Sequence, residues 1–312
     1  MRVLIVTNMY PTDAHPGRGG FVADQVAALR RLGGAEVALF VFDPDGARDY
    51  PQAARRLRAY AGATRYDIVH AHYGLTLWPA LAARARRRVV TLHGTDLAHP
   101  RARPLTLAGL RLYDLVAPVS RPLAETIPRW ARPKRIAVLP CGIDLQRFGP
   151  RDRRAARERL GLDPEGRYLL FPADPARPEK RHDLALAAAG DVPLLTLGGV
   201  SRDDVPLMIN AANAVLVTSD REGFGLAVLE ALASDVPVLA TPVGVHPEAL
   251  SGIEGTLCAP FDISAWRAAL APHLAATDPR IRGRERAERW SSDAMARQVL
   301  DAWRDLLADA DH

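Results

Sequence analysis

The sequence predicts an α/β fold made of two parallel-sheet halves of similar size. Three observations carry that expectation. Short apolar runs rich in β-branched residues alternate with amphipathic stretches along the 312 residues. That rhythm is interrupted once, where Pro140-Cys-Gly142 is followed by a charged stretch from Asp144 to Arg154 with Pro150 inside it. The length suits about two domains, and 48% hydrophobic residues is enough for two cores.

In chain order, the first half offers Val3–Val6, Val37–Val41, Ile68–Val69, Val89–Leu92, Leu115–Val119 and Ile136–Leu139 as strands. Its first helix shows Val22, Val26, Leu29 and Leu32 near helical spacing on one face. A domain boundary is expected near residue 150. The second half restarts with Tyr168–Phe171, Leu194–Leu197, Ala214–Thr218 and Val236–Ala240. The last amphipathic stretch, about 292 to 307, presents Val299, Trp303 and Leu306 as a packing face. Open α/β sheets bind ligands at the carboxyl ends of their strands, so a cleft there is the expected site.

Composition narrows the function classes. No apolar run approaches the ~20 residues needed to cross a bilayer, and no charged-then-apolar leader precedes Met1-Arg-Val-Leu-Ile-Val-Thr7, so a cytoplasmic protein is expected. Cys141 and Cys258 lack metal-ligand spacing and are expected to be reduced thiols. The net charge of +5 comes from arginine, since Lys134 and Lys180 are the only lysines among 41 basic residues. A lysine retained against that bias suggests a need for a compact ammonium. Arg55-Arg-Leu-Arg58 and Arg84-Ala-Arg-Arg-Arg88 are expected to be solvated helix faces; the rival reading is a patch for an anionic membrane.

The most informative stretch is Glu222-Gly-Phe-Gly-Leu-Ala-Val-Leu-Glu230, which follows the strand Ala214–Thr218 and the polar turn Ser219-Asp-Arg221. A strand, a glycine turn and a helix N-terminus direct unpaired amides and a helix dipole at one point, a device for binding anions. Glu222 lies before the device and Glu230 about two turns into the helix. At ~1.5 Å of rise per residue the span is roughly 12 Å, the reach of a sugar, a diphosphate and a ribose. A nucleotide-sugar site follows, with Gly223, Phe224, Gly225 and Leu226 in its middle. In the first half Asn8-Met-Tyr-Pro leads to Gly17-Arg-Gly-Gly20 with no Gly-x-Gly-x-x-Gly, which argues against a nicotinamide dehydrogenase. Gly19 and Gly20 would let backbone approach a phosphate or sugar. His70-Ala-His72 places two imidazoles on one strand face, but with no third ligand nearby the expectation is interior packing and no bound metal.

Together these segments resemble the retaining glycosyltransferases of family 4 (glycosyl transferases group 1), with the GT-B fold of two Rossmann-like domains. Glu222 and Glu230 match that family's Glu-x7-Glu motif. Pro140-Cys-Gly-Ile-Asp-Leu-Gln-Arg-Phe148 resembles its Pro-Asn-Gly-Val-Asp-x-x-x-Phe segment. Thr91-Leu-His-Gly-Thr-Asp96 is similar to its His-Gly segment, and Thr241-Pro-Val-Gly-Val-His-Pro-Glu248 to its next second-domain loop. The resemblance implies an acceptor-side domain over 1–150, a donor domain over 151–290 and a helix over 291–312 that packs back on the first domain. It implies that Glu222 bonds the donor sugar, Glu230 the ribose, Arg177 and Lys180 the diphosphate, and that His93 meets the transferred sugar. Closure of the domains is then expected to bring Gly19, Gly20 and His93 against Arg177, Lys180 and Glu222.

The chain is short for that family, chiefly between His93 and Leu115. Arg177 and Lys180 stand closer together than the family pattern has them. Cys141 replaces a frequent Asn, and Asn213 a common Asp.

The function that follows is metal-independent transfer of a sugar from a nucleotide diphosphate sugar to an acceptor hydroxyl, with retention, and UDP favoured over GDP on donor frequency in the family. The acceptor would be a lipid, a glycan or a small metabolite. No nucleic-acid partner is expected; a monomer or dimer is, with peripheral membrane association as an option. The rivals are a GT-B nucleotide-sugar epimerase, a non-catalytic nucleotide-sugar-binding subunit and a metal-dependent hydrolase using His70, His72 and His93.

Overall fold

In a computed structural model, residues 1–12, 15 and 17–309 are described. The chain runs β1 (Arg2–Thr7), α1 (Gly20–Leu32), β2 (Glu36–Val41), α2 (Asp49–Ala61), β3 (Arg65–His72), α3 (Leu77–Ala80), β4 (Arg84–Leu92), α4 (Thr95–Ala98), α5 (Ala102–Gly109), β5 (Leu115–Pro118) and α6 (Arg121–Glu125). It continues as α7 (Arg153–Arg159), β6 (Leu169–Phe171), α8 (His182–Ala189), β7 (Leu194–Thr196), α9 (Val205–Ala211), β8 (Ala214–Val217), α10 (Leu226–Ala233), β9 (Val238–Ala240), α11 (His246–Leu250), β10 (Leu257–Cys258), α12 (Ile263–Ala275), α13 (Arg284–Ala287) and α14 (Ser292–Ala308). Two compact units result. One holds Met1–Gly142 and the segment from Ser292 onward, and the other holds Ile143–Ser291.

Each unit is built on one five-stranded parallel sheet, ordered β2-β1-β3-β4-β5 in the first and β10-β9-β8-β6-β7 in the second. Counted from each unit's own first strand, both orders are the doubly wound 2-1-3-4-5. The direction of winding reverses between β1 and β3 in one sheet and between β6 and β8 in the other, and crevices open at the carboxyl ends of such strand pairs.

In the first unit Val22, Val26 and Leu29 of α1 pack with Val3, Ile5 and Ile68 of the sheet and with Met295, Val299, Trp303 and Leu306 of α14. In the second, Leu169, Phe171, Ala214, Leu216 and Leu239 pack against Trp266, Leu270 and the small alanine face of α8. Asn213 is a fixed hub there. Its Oδ1 accepts from Tyr168 N at 3.1 Å and Arg157 Nη2 at 2.9 Å, and its Nδ2 donates to the His273 carbonyl at 3.1 Å, a donation no aspartate could make.

Three details correct the sequence expectations. Arg84–Arg88 is not a helix face; it is the first half of β4, paired residue for residue with β3 from Arg65↔Arg84 onward. The run tolerates a central strand because its guanidinium groups find partners. Arg86 reaches Asp67, Arg87 meets Asp114 at 3.1 Å, and Arg88 caps the carbonyls of Ala80 and Ala83 at 3.0 and 2.7 Å. Ile136–Leu139 makes a single bridge to β5, at Val116, instead of a full strand. The two-residue β10 carries too few residues to show a pattern.

Beside α14 lie two buried imidazoles of β3. His70 and His72 are fully buried and stacked at 4.5 Å, and His70 meets the edge of Trp303 at 5.6 Å. Burial holds the His70 imidazole well below its usual range and brings His72 down to about 3. Replacing Trp303 by Ala is expected to cost about 3–5 kcal/mol of the first unit's stability, read from urea unfolding. The histidines set an acid limit. Once unfolded they take up protons as pH falls through about 6.5, whereas folded His72 does not until about 3. Stability is therefore full above about 6.5 and drains away as pH falls toward 3. Unfolding midpoints between pH 7 and 4.5 should fall less steeply in His72→Gln than in the wild type.

Candidate functional site

The second unit gathers its chemistry where the loops after β6 and β8 meet. The chain leaves β8 through Thr218 and Ser219, both buried. Thr218 Oγ1 donates to the carbonyls of Lys180 and Arg181, at 3.0 and 2.8 Å, and Asp220 N donates to the Glu179 carbonyl at 2.9 Å. These bonds tie the turn of Pro178–Lys180 to the end of β8. Lys180 Nζ thereby comes within 2.6 Å of Glu222 Oε1, and Ser219 Oγ donates to the same oxygen at 2.7 Å. The Lys180 and Glu222 side chains are only 15% and 11% exposed, so the pair acts with little solvent screening. They line a small hollow with Phe171, Ala173, Ser219 and Ala227.

Beyond Glu222 the chain turns at Gly225, whose φ of +109° is left-handed, and enters α10 with no side chain capping its first turn. Gly225 is required twice over, because a Cβ there would also lie 2.4 Å from His246 Nε2. His246 is fully buried. Its Nδ1 lies 2.8 Å from the Thr241 carbonyl and must carry the proton, which leaves Nε2 a pure acceptor facing the glycine. Phe224 is buried, and its carbonyl accepts from Val245 N at 2.7 Å, binding the loop after β9 to the loop after β8.

Glu230 is the fifth residue of α10, half-buried and just over one turn in, because the helix begins only at Leu226. The expectation of two turns counted Glu222–Gly225 as helical; left-handed Gly225 prevents that. Gly223 and Leu226 border the same turn. Arg177 is placed differently. Its guanidinium is 53% exposed and grips Glu179 at 2.7 Å, away from the Lys180–Glu222 contact.

In the first unit, Gly19 (φ +63°) ends the glycine loop and Gly20 opens α1. A Cβ on Gly19 would lie 2.2 Å from the Met9 carbonyl, so packing of loop on loop already explains that glycine. His93 follows β4, half-buried, with its ring 4.8 Å from Phe21 and its Nε2 3.2 Å from His72 Nδ1. Asp96, fully buried, holds this corner, and sequence reasoning did not single it out. It accepts from the amides of His93 at 2.9 Å, Gly94 at 2.8 Å and Gly74 at 3.2 Å, tying the ends of β3 and β4 together. Burial raises its carboxyl above the usual range, and those amides counter the rise. The only available signal was its place in the His-Gly segment. Ser219 was visible as part of the polar turn, but its bond to Glu222 was not. Among the described residues no group of three or more His, Cys, Asp or Glu could hold a metal ion, and no helix is long and apolar enough to cross a membrane.

A cation, a hydroxyl and two carboxylates around an open helix N-terminus can hold a ligand with an anionic centre and hydroxyls on either side. Comparison with known proteins places both units in one family. Residues 2–147 match the family model described as Glycosyltransferase Family 4, and residues 176–294 the one described as Glycosyl transferases group 1. The chain is 32% identical over 273 residues to the D-inositol 3-phosphate glycosyltransferase of Mycobacterium avium (strain 104), an alignment covering 71% of this chain and 64% of that protein. The chain thus spans less than two thirds of the length of the curated relatives it matches. Sucrose-phosphate synthase from Thermosynechococcus elongatus superposes with a TM-score of 0.76 at 21% identity, over 99% of this chain and 100% of the other. Anabaena Alr3699/HepE, solved in complex with UDP-glucose, does so with 0.72 at 16%, over 98% and 100%. With both units matched in sequence and the two-sheet architecture shared, the chain belongs to family 4 of the glycosyltransferases and has the GT-B fold.

Proposed function

We propose that this chain transfers a sugar from a nucleoside diphosphate sugar to an acceptor hydroxyl, with retention of anomeric configuration and without a metal. The observation that carries the reading is the poorly solvated Lys180–Glu222 pair beside the uncapped N-terminus of α10. Breaking the anomeric C–O bond moves negative charge onto the diphosphate. A lysine ammonium and helix amides fixed in advance stabilise that charge without reorganising. Glu222 Oε1 is committed to Lys180 and Ser219, so its Oε2 is the oxygen left to receive a sugar hydroxyl. Glu230 takes the ribose hydroxyls. Arg177 adds a second cation when it exchanges Glu179 for phosphate. His93, held by Asp96 through its amide, meets the transferred sugar.

The reaction we favour occurs on one face of the sugar. The bond from the anomeric carbon to the phosphate oxygen breaks, the acceptor oxygen bonds to that carbon, and the acceptor proton passes to the departing phosphate. Catalysis then rests on positioning and leaving-group stabilisation. The UDP and UDP-glucose complexes of the Anabaena relative support a uridine donor over a guanosine one. We place the enzyme in the cytoplasm, at or near the inner membrane face.

Lys180→Ala should lower turnover by about 10²-fold or more with the fold intact; near wild-type turnover would remove Lys180 from the mechanism. UDP-sugar at 100 times its dissociation constant should stabilise the protein by about 2.7 kcal/mol in thermal unfolding, and Glu230→Ala should abolish that shift. A shift that persists in the variant would refute the ribose contact.

A further inference from the structure

The first unit has an apolar crevice lined from the β2–α2 loop, from α2, and from the segment that runs after β3 to α5. It opens beside the carboxyl ends of β2 and β3, and its volume of about 630 Å³ lies within the ordinary range of small-ligand pockets. Its walls are Pro44 and Ala47 of the β2–α2 loop, Tyr50 and Pro51 of α2, Trp78 of α3 and Leu105 of α5. Trp78 Nε1 donates to the Leu105 carbonyl at 3.3 Å, which fixes the indole as a wall although it is 38% exposed.

The polar groups are few and ordered. Thr76 Oγ1 donates to Asn8 Oδ1 and Asn8 Nδ2 donates to Tyr50 Oη, each at 3.2 Å. The Tyr50 phenol therefore keeps its own proton to give. Burial pushes that phenol up to about 12, so it stays neutral. Among the described lining residues there is no Lys, Arg or His, and the one charge is Asp45.

We propose that this pocket holds the acceptor, and that the acceptor is a small neutral alcohol or phenol carrying an apolar ring. The assignment rests on the transferase reading above. Two aromatic walls and proline rings favour a flat apolar body, and a volume of about 630 Å³ suits a small molecule. The Tyr50–Asn8–Thr76 chain supplies one oriented polar contact. A phosphorylated acceptor would meet Asp45 and no compensating cation, which sets this pocket apart from what the names of the mycobacterial relatives imply for them.

The probe is 2-naphthol, titrated calorimetrically into wild type, Ala54→Trp, which fills the crevice, and Leu105→Asp, which charges its exposed rim. Inositol 1-phosphate serves as the competitor, and the UDP-sugar thermal shift is followed in parallel. Binding to wild type is expected, weakened at least tenfold in both variants, untouched by inositol phosphate, with the nucleotide shift unchanged and naphthol glycosylated. Equal binding in wild type and variants, or none in a wild type that still binds nucleotide, overturns the proposal and leaves the donor reading standing. Displacement of naphthol by inositol phosphate overturns the neutral class. Naphthol binding that the variants abolish, in a protein indifferent to every nucleotide sugar, overturns the acceptor role together with the transferase reading.

Discussion

A parallel strand cannot return to its neighbour without a crossover, and where crossovers diverge to opposite faces the sheet's carboxyl edge is left open. That constraint acts twice in this chain, because both sheets share the order 2-1-3-4-5. In the second unit the loops after β6 and β8 meet at the opening and carry Lys180 and Glu222 into contact. In the first, the segments after β2 and β3 border an apolar crevice, and Asn8 after β1 bonds its Tyr50 wall and Thr76. The topology supplies the openings, and the side chains decide what each can hold.

The two openings differ in electrostatics. The second is built around a shielded ion pair, with an open helix N-terminus adding to the positive side. A buried pair of this kind contributes little to stability by itself, since desolvation offsets its attraction. Its value is geometric: each partner holds the other in place. The first opening has neutral hydrogen bonds and aromatic walls, and in the same unit burial keeps the imidazoles of His70 and His72 uncharged.

Buried polar groups organise the corners of both units. Asp96 gathers three amides from two strand ends, Thr218 spans two carbonyls of the Lys180 turn, and Asn213 joins α7, β6 and the end of α12 through one amide. Each would be costly to bury unsatisfied, and each fixes a loop against its neighbour.

The strand runs Val3–Val6, Leu115–Val119 and Ala214–Thr218, the helical stripes of α1 and α14, and the Glu222–Glu230 spacing were legible because period and composition are local properties. The two-sheet α/β architecture and the family followed from them. The arginine-rich start of β4 was not legible, since its strand identity depends on Asp67, Asp114 and two helix carbonyls distant in sequence. The same holds for the bond from Ser219 to Glu222, the close fit of His246 against Gly225, the anchoring by Asp96 and the crevice beside Tyr50. The sequence by itself determined which segments would form strands and helices and where a glycine turn would open a helix N-terminus. Only the tertiary structure decided which side chains meet, because contact across 22 to 42 residues is set by strand order and loop packing and leaves no periodic trace in the chain.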